Sequence, residues 1–311
     1  MLKMYKFKFL IFIFVFFFYY LNLNASILIK YKIGNELITN FDIDNEKKYL
    51  VFLRPSLKNL SESEITKISE NSLIREIIKK KEVDKIFKDI KSSRFIDELK
   101  KSLFRFKGVK NETEFLKILK KNDIDYKIIL EKMKYEGLWN ELVLQRYNSL
   151  VKIDKSKLKQ KLLVKISNEK KYEYNLSELI FDVSNVEKFE NKNKEIRNFI
   201  NTNNFKSAAI KYSISNSANR GGEIGWVKQT LLSEDLIKYL NNKEVGSTTE
   251  AIKYPNGYLI LKINDKKEMK NTIDVDQELE ELIKFEKNKQ LNQFSLLLFK
   301  KLKKNTIINE Y

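Results

Sequence analysis

Eight glycines and two prolines serve 311 residues, and three of those glycines fall within five positions, at Gly221, Gly222 and Gly225. Glycine and proline most readily end a helix or admit a left-handed backbone. A chain this poor in them is committed to long unbroken elements, with little Gly/Ser-rich or Pro-rich linker. The length allows two domains, and 42% hydrophobic residues beside 33% charged ones are enough for a real core, which excludes a disordered tail. There is no cysteine and no histidine. Disulfides, thiol nucleophiles, thiolate or imidazole metal sites and every Ser-His or Cys-His scheme are therefore excluded. Any chemistry is left to carboxylates, hydroxyls, amines and the backbone, and neither a metal nor a cofactor is expected.

The formal net charge of +18 raises the question of nucleic acid or an anionic membrane. Runs such as Lys79-Lys80-Lys81 and Lys300-Lys301-x-Lys303-Lys304 are interleaved with Glu and Asp along expected helices. Lys far outweighs Arg, and no aromatic-basic single-strand motif occurs, so these runs read as solvated helix faces and no nucleic-acid partner is expected. At the N-terminus Lys3, Lys6 and Lys8 precede an uncharged aromatic and aliphatic stretch from Phe9 to Leu23, with Ala25 as a small residue at the cleavage point. That is a secretory signal layout over residues 1–25, and it predicts export. The competing reading is an uncleaved anchor, because the uncharged stretch continues to Ile29. Membrane contact is expected only in that second case, and both readings carry the remaining chain outward.

Along the exported part, Ile27 to Ile33, Gly34-Asn35 and Glu36 to Ile38 read as a β-hairpin. Thr39-Asn40-Phe41-Asp42 starts a helix that Pro55 stops, and Ser61-Glu62-Ser63-Glu64 is a capping box opening another, with Ile65, Ile68, Leu73, Ile74, Ile77 and Ile78 at helical spacing. Asn111 opens a third. A long amphipathic segment from Asp125 to Val151 carries Leu130, Met133, Leu138, Trp139, Leu142 and Val143, a stripe read as helix-helix core. From Tyr174 the texture changes: a strand to Val183, a charged helix from Asn185 to Thr202, a short helix from Phe205 to Tyr212, the glycine cluster, a helix near Ser233 to Leu240, and a hairpin through Pro255-Asn256-Gly257 to Ile263. This is a compact α+β unit with an antiparallel sheet. A final helix places Leu279, Leu282, Ile283, Leu291, Phe294, Leu298 and Leu302 inward and ends in a strand-like Thr306 to Ile308.

The segment from Phe205 through Ser213-x-Ser215-x-Ser217-Ala218 to Gly221-Gly222-Glu223-Ile224-Gly225-Trp226 resembles the signature of parvulin-type (PpiC or rotamase) peptidyl-prolyl isomerases. Val245 to Ile252 and Asn256-Gly257-Tyr258-Leu259-Ile260-Leu261 resemble the same domain's closing strands. Ile33 to Asp42 resembles the opening of SurA-type periplasmic chaperones, and Asn122 to Tyr126 with Gly137 to Val143 resembles the end of their helical N-terminal domain. The resemblance implies an α+β protein: a mainly helical chaperone lobe at residues 26–165, one parvulin-like domain at 172–268 with an antiparallel sheet and surrounding helices, and a C-terminal helix and strand at 274–311 that complete the lobe.

The family's active parvulins resemble one another in two buried histidines, with a Cys or Asp between them. Matched by motif, Glu178 falls on the first histidine, Ser215 on the Cys or Asp, Asn256 on a hydroxyl position and Leu259 on the second histidine. Leu232 and Leu236 match positions lining the proline site, with Trp226 nearby, and read equally as ordinary core. A solvent-facing strand residue is the plainer reading of Glu178. The resemblance implies a periplasmic chaperone for unfolded outer-membrane or other exported polypeptides, with isomerase activity weak or lost. The alternative is an active isomerase, tethered to the membrane if the N-terminal segment is retained.

Overall fold

The computed structural model describes residues 26–311 apart from 88–92, 168–170, 184–186, 242, 256 and 270–273. The signal-peptide expectation and Asn256 lie outside the described residues. Among the described residues no helix is long and apolar enough to cross a membrane.

Strands β1 (Ile29–Ile33) and β2 (Glu36–Thr39) form the expected hairpin. Helix α1 (Asn40–Leu53) starts at a true capping box, Thr39 with Asp42, and gives way to a 3-10 turn at Pro55. Helix α2 (Glu62–Ile86) starts at the second box, Ser61 with Glu64, and runs on unbroken as the lack of glycine and proline allows. Helices α3 (Ser93–Lys107), α4 (Glu112–Lys121), α5 (Tyr126–Tyr147) and α6 (Lys155–Ser167) follow. The sequence reading passed over α3 and α6, although α3 is amphipathic and Asp154 caps α6 by accepting from the Lys157 amide at 2.9 Å. It also carried α5 four residues too far, since the last turn is a separate 3-10 segment at Asn148–Leu150.

The second unit is built on an antiparallel sheet of β3 (Tyr172–Phe181), β4 (Glu223–Lys228), β5 (Ile252–Tyr254) and β6 (Gly257–Glu268), in the order β4-β3-β6-β5. Helices α7 (Glu187–Thr202), α8 (Phe205–Tyr212) and α9 (Glu234–Asn241) surround it. Alternation along β3 and β6 sends side chains to both faces. Leu179, Phe181 and Ile260 meet Ile196, Phe199, Phe205, Ala208 and Ala209 of α7 and α8 on one face. Tyr174, Leu176, Ile180, Leu259, Leu261 and Ile263 share the other with Leu232 and Leu240.

Helix α10 (Val275–Lys304) returns to the first unit, and β7 (Ile308–Glu310) pairs antiparallel with β1, closing the sheet order β2-β1-β7. Leu298 and Phe299 of α10 pack with Ile78, Val83, Leu138, Trp139, Leu142 and Val143. Thus the stripe on α5 is core, and its buried indole donates from Nε1 to Ser295 Oγ at 2.9 Å. The inward set on α10 differs in part from the sequence reading. Leu296 and Phe299 are buried, whereas Leu279 and Ile283 are only half-buried.

Candidate functional site

The three serines of the signature come together where the chain leaves α8 and folds through a turn at Ser215–Ser217. Ser213 Oγ donates to Ser215 Oγ at 3.0 Å, and Ser215 and Ser217 hydroxyls lie 2.7 Å apart. Ser217 Oγ in turn donates to Glu178 Oε1 at 2.8 Å. The chain is anchored at its far end, where Ser213 Oγ accepts from the Ile180 amide at 3.1 Å. Glu178 is therefore not the solvent-facing strand residue that the sequence suggested. It is half-buried, and burial pushes its carboxyl above the usual range, against the Ser217 and Ser215 hydrogen bonds and the Arg220 charge, which hold it down.

The glycine cluster explains how the serine segment reaches β3. Gly222 has φ +77°, and a Cβ there would stand 2.1 Å from the Glu178 carbonyl oxygen. Without a side chain, the Gly222 carbonyl instead accepts from the Glu178 amide at 2.7 Å.

The structure brings Glu178, Leu259, Leu232 and Leu236 to one face of the sheet. Glu178 shares its strand parity with Leu176 and Ile180, and Ile180 sits opposite Leu259. Leu232 and Leu259 are buried there, and Leu236 packs on them half-buried. Tyr254 joins this face, its hydroxyl pKa raised first by burial and then by the charge of Glu178. Trp226 does not join it. The sequence reading put Trp226 beside the leucines, but Val227 faces that cluster, so the adjacent Trp226 projects from the opposite side of β4. It is 44% exposed, with the Lys267 ammonium 4.3 Å from its ring centroid.

Sequence reasoning missed Ser213, Ser217 and Tyr254 as members of the network, although the Ser-x-Ser-x-Ser spacing carries the signal for the first two. It also had no signal for what covers this face. Leu296 of α10 is the buried member of the apolar cluster that comes from outside residues 172–268, and Phe285 of α10 packs beside it. Asn216 Nδ2 donates to Ser295 Oγ at 3.1 Å, and Ser295 donates back to Asn216 Oδ1 at 3.2 Å. Lys228 reaches Glu278 at 2.8 Å and Glu281 at 2.6 Å. Elsewhere on the unit, Ile210 of α8 packs with Leu50, Leu57, Ile65 and Ile68 of the first unit. Arg54 reaches Glu223 at 3.0 Å, and Arg75 donates to the Ser213 carbonyl at 2.9 Å. Among the described residues no cluster of His, Cys, Asp or Glu is arranged to hold a metal ion.

These features agree with what the chain is similar to. The family model of the PPIC-type PPIASE domain, Rotamase, matches residues 179–265. A stretch of 63 residues is 43% identical to the chaperone SurA of Pseudomonas putida, covering 20% of this chain and 15% of that protein. Over 287 residues the chain is 28% identical to the periplasmic chaperone PpiD of Buchnera aphidicola, covering 83% of this chain and 41% of that protein. The chain thus spans less than half the length of these curated relatives. A solved SurA-like chaperone of Campylobacter jejuni, of the PEB4 and Cj1289 pair, aligns over 91% of this chain and 98% of its own, at 16% identity and a TM-score of 0.38. The chain carries a PPIC-type rotamase domain at residues 179–265, set within a sequence similar over 83% of its length to a periplasmic chaperone PpiD.

Proposed function

We propose that this protein is a periplasmic chaperone that binds unfolded, exported polypeptides, outer-membrane precursors among them, and that its rotamase domain isomerises prolyl bonds weakly or not at all. The observation that carries the second half is the composition of the site. Rotation about an X-Pro bond faces a barrier of about 18–20 kcal/mol, and catalysis requires a site that favours the twisted amide over the planar one. Here the polar groups on the face are a carboxyl with a raised pKa, a row of neutral hydroxyls and a tyrosine, above a leucine floor. The donors in the serine row are already spent on one another and on Glu178, which leaves little to bind a distorted amide.

Client binding is supported by edges and exposed apolar side chains. Strand β4 is an edge of its sheet and displays Ile224 and Trp226 to solvent, while β2 and β7 are the edges of the small sheet. Ile27, Leu28, Phe41 and Tyr311 are exposed beside that small sheet. Unpaired edge N–H and C=O groups flanked by apolar side chains suit an extended polypeptide, which adds as a strand. The positive net charge steers acidic clients on approach.

The test pairs two assays on the same preparation: suppression of aggregation of an unfolded outer-membrane β-barrel, and isomerisation of a proline tetrapeptide. Suppression with isomerisation no faster than the uncatalysed rate is expected. Turnover that is lost in Glu178→Gln or Leu236→Asp would overturn the weak-or-lost reading in favour of an active isomerase.

A further inference from the structure

The rotamase unit is sealed on its two faces by different means. The buried residues of the α7/α8 face all come from the unit itself, with Leu60 of the first unit packed beside them half-buried. The face holding Glu178, Tyr254, Leu232, Leu236 and Leu259 is completed by α10, through Leu296 and Phe285. An apolar floor beside a carboxyl, a tyrosine and hydroxyls is the surface of this unit that could take a prolyl ring, and Leu296 of α10 is buried in the same apolar cluster as that floor.

The unit is held by two joints. Its contact with α1 and α2 joins the apolar group Ile210, Leu50, Leu57, Ile65 and Ile68 to polar contacts, Arg54 with Glu223, Arg75 with the Ser213 carbonyl and Lys211 with Glu64. Its contact with α10 joins Leu296 and Phe285 to Asn216 with Ser295, Lys228 with Glu278 and Glu281, Thr230 with Glu278, and Lys300 with Asp182 at 3.1 Å. Only the α10 joint contributes a buried side chain to the cluster on the leucine face, so it is the one that must part for a ligand to reach that face.

We propose that α10 is a lid on the rotamase face, that Leu296 occupies the place of a client's proline ring, and that docking of α10 and binding of a proline segment exclude each other. α10 parts from this face to admit the client. This goes beyond the chaperone reading and adds a regulated second binding face to it.

The absence of native cysteine makes the test clean. In the full chain, Asn216→Cys with Ser295→Cys places two thiols across the lid joint, and Glu64→Cys with Lys211→Cys places two across the joint with α1 and α2, where the native pair lies 3.5 Å apart. Each pair is closed with a short bis-maleimide linker, and binding of a fluorescent proline tetrapeptide is read by anisotropy. The expected result is binding by the unlinked chains, at least tenfold weaker binding after linking 216 to 295, and a change of less than twofold after linking 64 to 211. Equal affinity with and without the 216–295 link, equal loss with both links, or no binding by the unlinked chain would each overturn the lid. Aggregation suppression by the same four samples reads the chaperone function separately, so failure of one is distinguishable from failure of the other.

Discussion

The two faces of the four-stranded sheet are made of similar residues and differ in who closes them. On the α7/α8 face, Phe181, Phe199, Phe205, Ala208, Ala209 and Ile260 come from within about eighty residues of chain. On the other, the cluster is finished by Leu296, beyond the sheet's last strand and carried by a helix whose next buried residues, Leu298 and Phe299, belong to the helical unit. A core closed locally is a property of the domain. A core closed by a distant helix couples two units, because the free energy of burying one leucine is shared between them. Stability and access to the site are then set by the same contact.

Phe205→Ala should have the largest effect. It removes a fully buried ring from the self-contained face, so a loss of about 3–5 kcal/mol is expected in denaturant unfolding; a loss below 1 kcal/mol would mean that this face is not the unit's own core. Gly222→Ala is expected next, at about 2–3 kcal/mol, because a methyl must be fitted against the Glu178 carbonyl at a positive φ. The same substitution should weaken hydrogen-exchange protection of the Glu178 amide, and unchanged protection would separate the glycine from the serine row. Leu296→Ala should cost about 2 kcal/mol or somewhat more. Unlike Phe205→Ala, it should break the single unfolding transition into two, as the units lose their shared leucine; one unchanged transition would show that the coupling lies elsewhere.

Smaller effects sharpen the comparison through charge. Glu178 has a folded pKa above its unfolded one, so it contributes stability that is complete below the unfolded pKa and is lost as pH rises through the folded value. Glu178→Gln keeps an acceptor for Ser217 and should flatten that acidic-range dependence while leaving unfolding at low pH unchanged; a pH profile identical to that of the unsubstituted chain would refute it. Lys107 shows the opposite sign in the other unit. Burial, with Arg54 nearby, pulls its ammonium down to about 8. Stability of that region should therefore rise between about pH 8 and 10.5, and Lys107→Met should abolish the rise in unfolding curves measured across that range.

Much of this was legible because its causes are local. Thr39 with Asp42 and Ser61 with Glu64 cap helices through contacts three residues apart, and Pro55 ends α1 by its own geometry. The Ser213, Ser215, Ser217 row is built within five residues of chain, and Gly222 stands where the backbone must approach another strand. Trp226 was misplaced for the same local reason seen from the other side. Periodicity tells which residues share a face but not which face the leucines of α9 will cover, and a one-residue step decides it. Glu178 looked like surface because its partners are thirty-nine residues away.

By itself, the sequence determined the types of most elements, the starts of the helices capped at Thr39 and Ser61, the lack of imidazole and thiol chemistry, and the residues that could meet on one side of β3. All of these depend on neighbours within a few positions or on composition. Only the tertiary structure decided that Glu178 is half-buried, that Trp226 points away, and that α10 lies over the leucine face. Those outcomes depend on contacts between segments far apart in the chain, where Leu296 could pack in either unit by its hydrophobicity alone. The docking of α10 between the two units selected one of them.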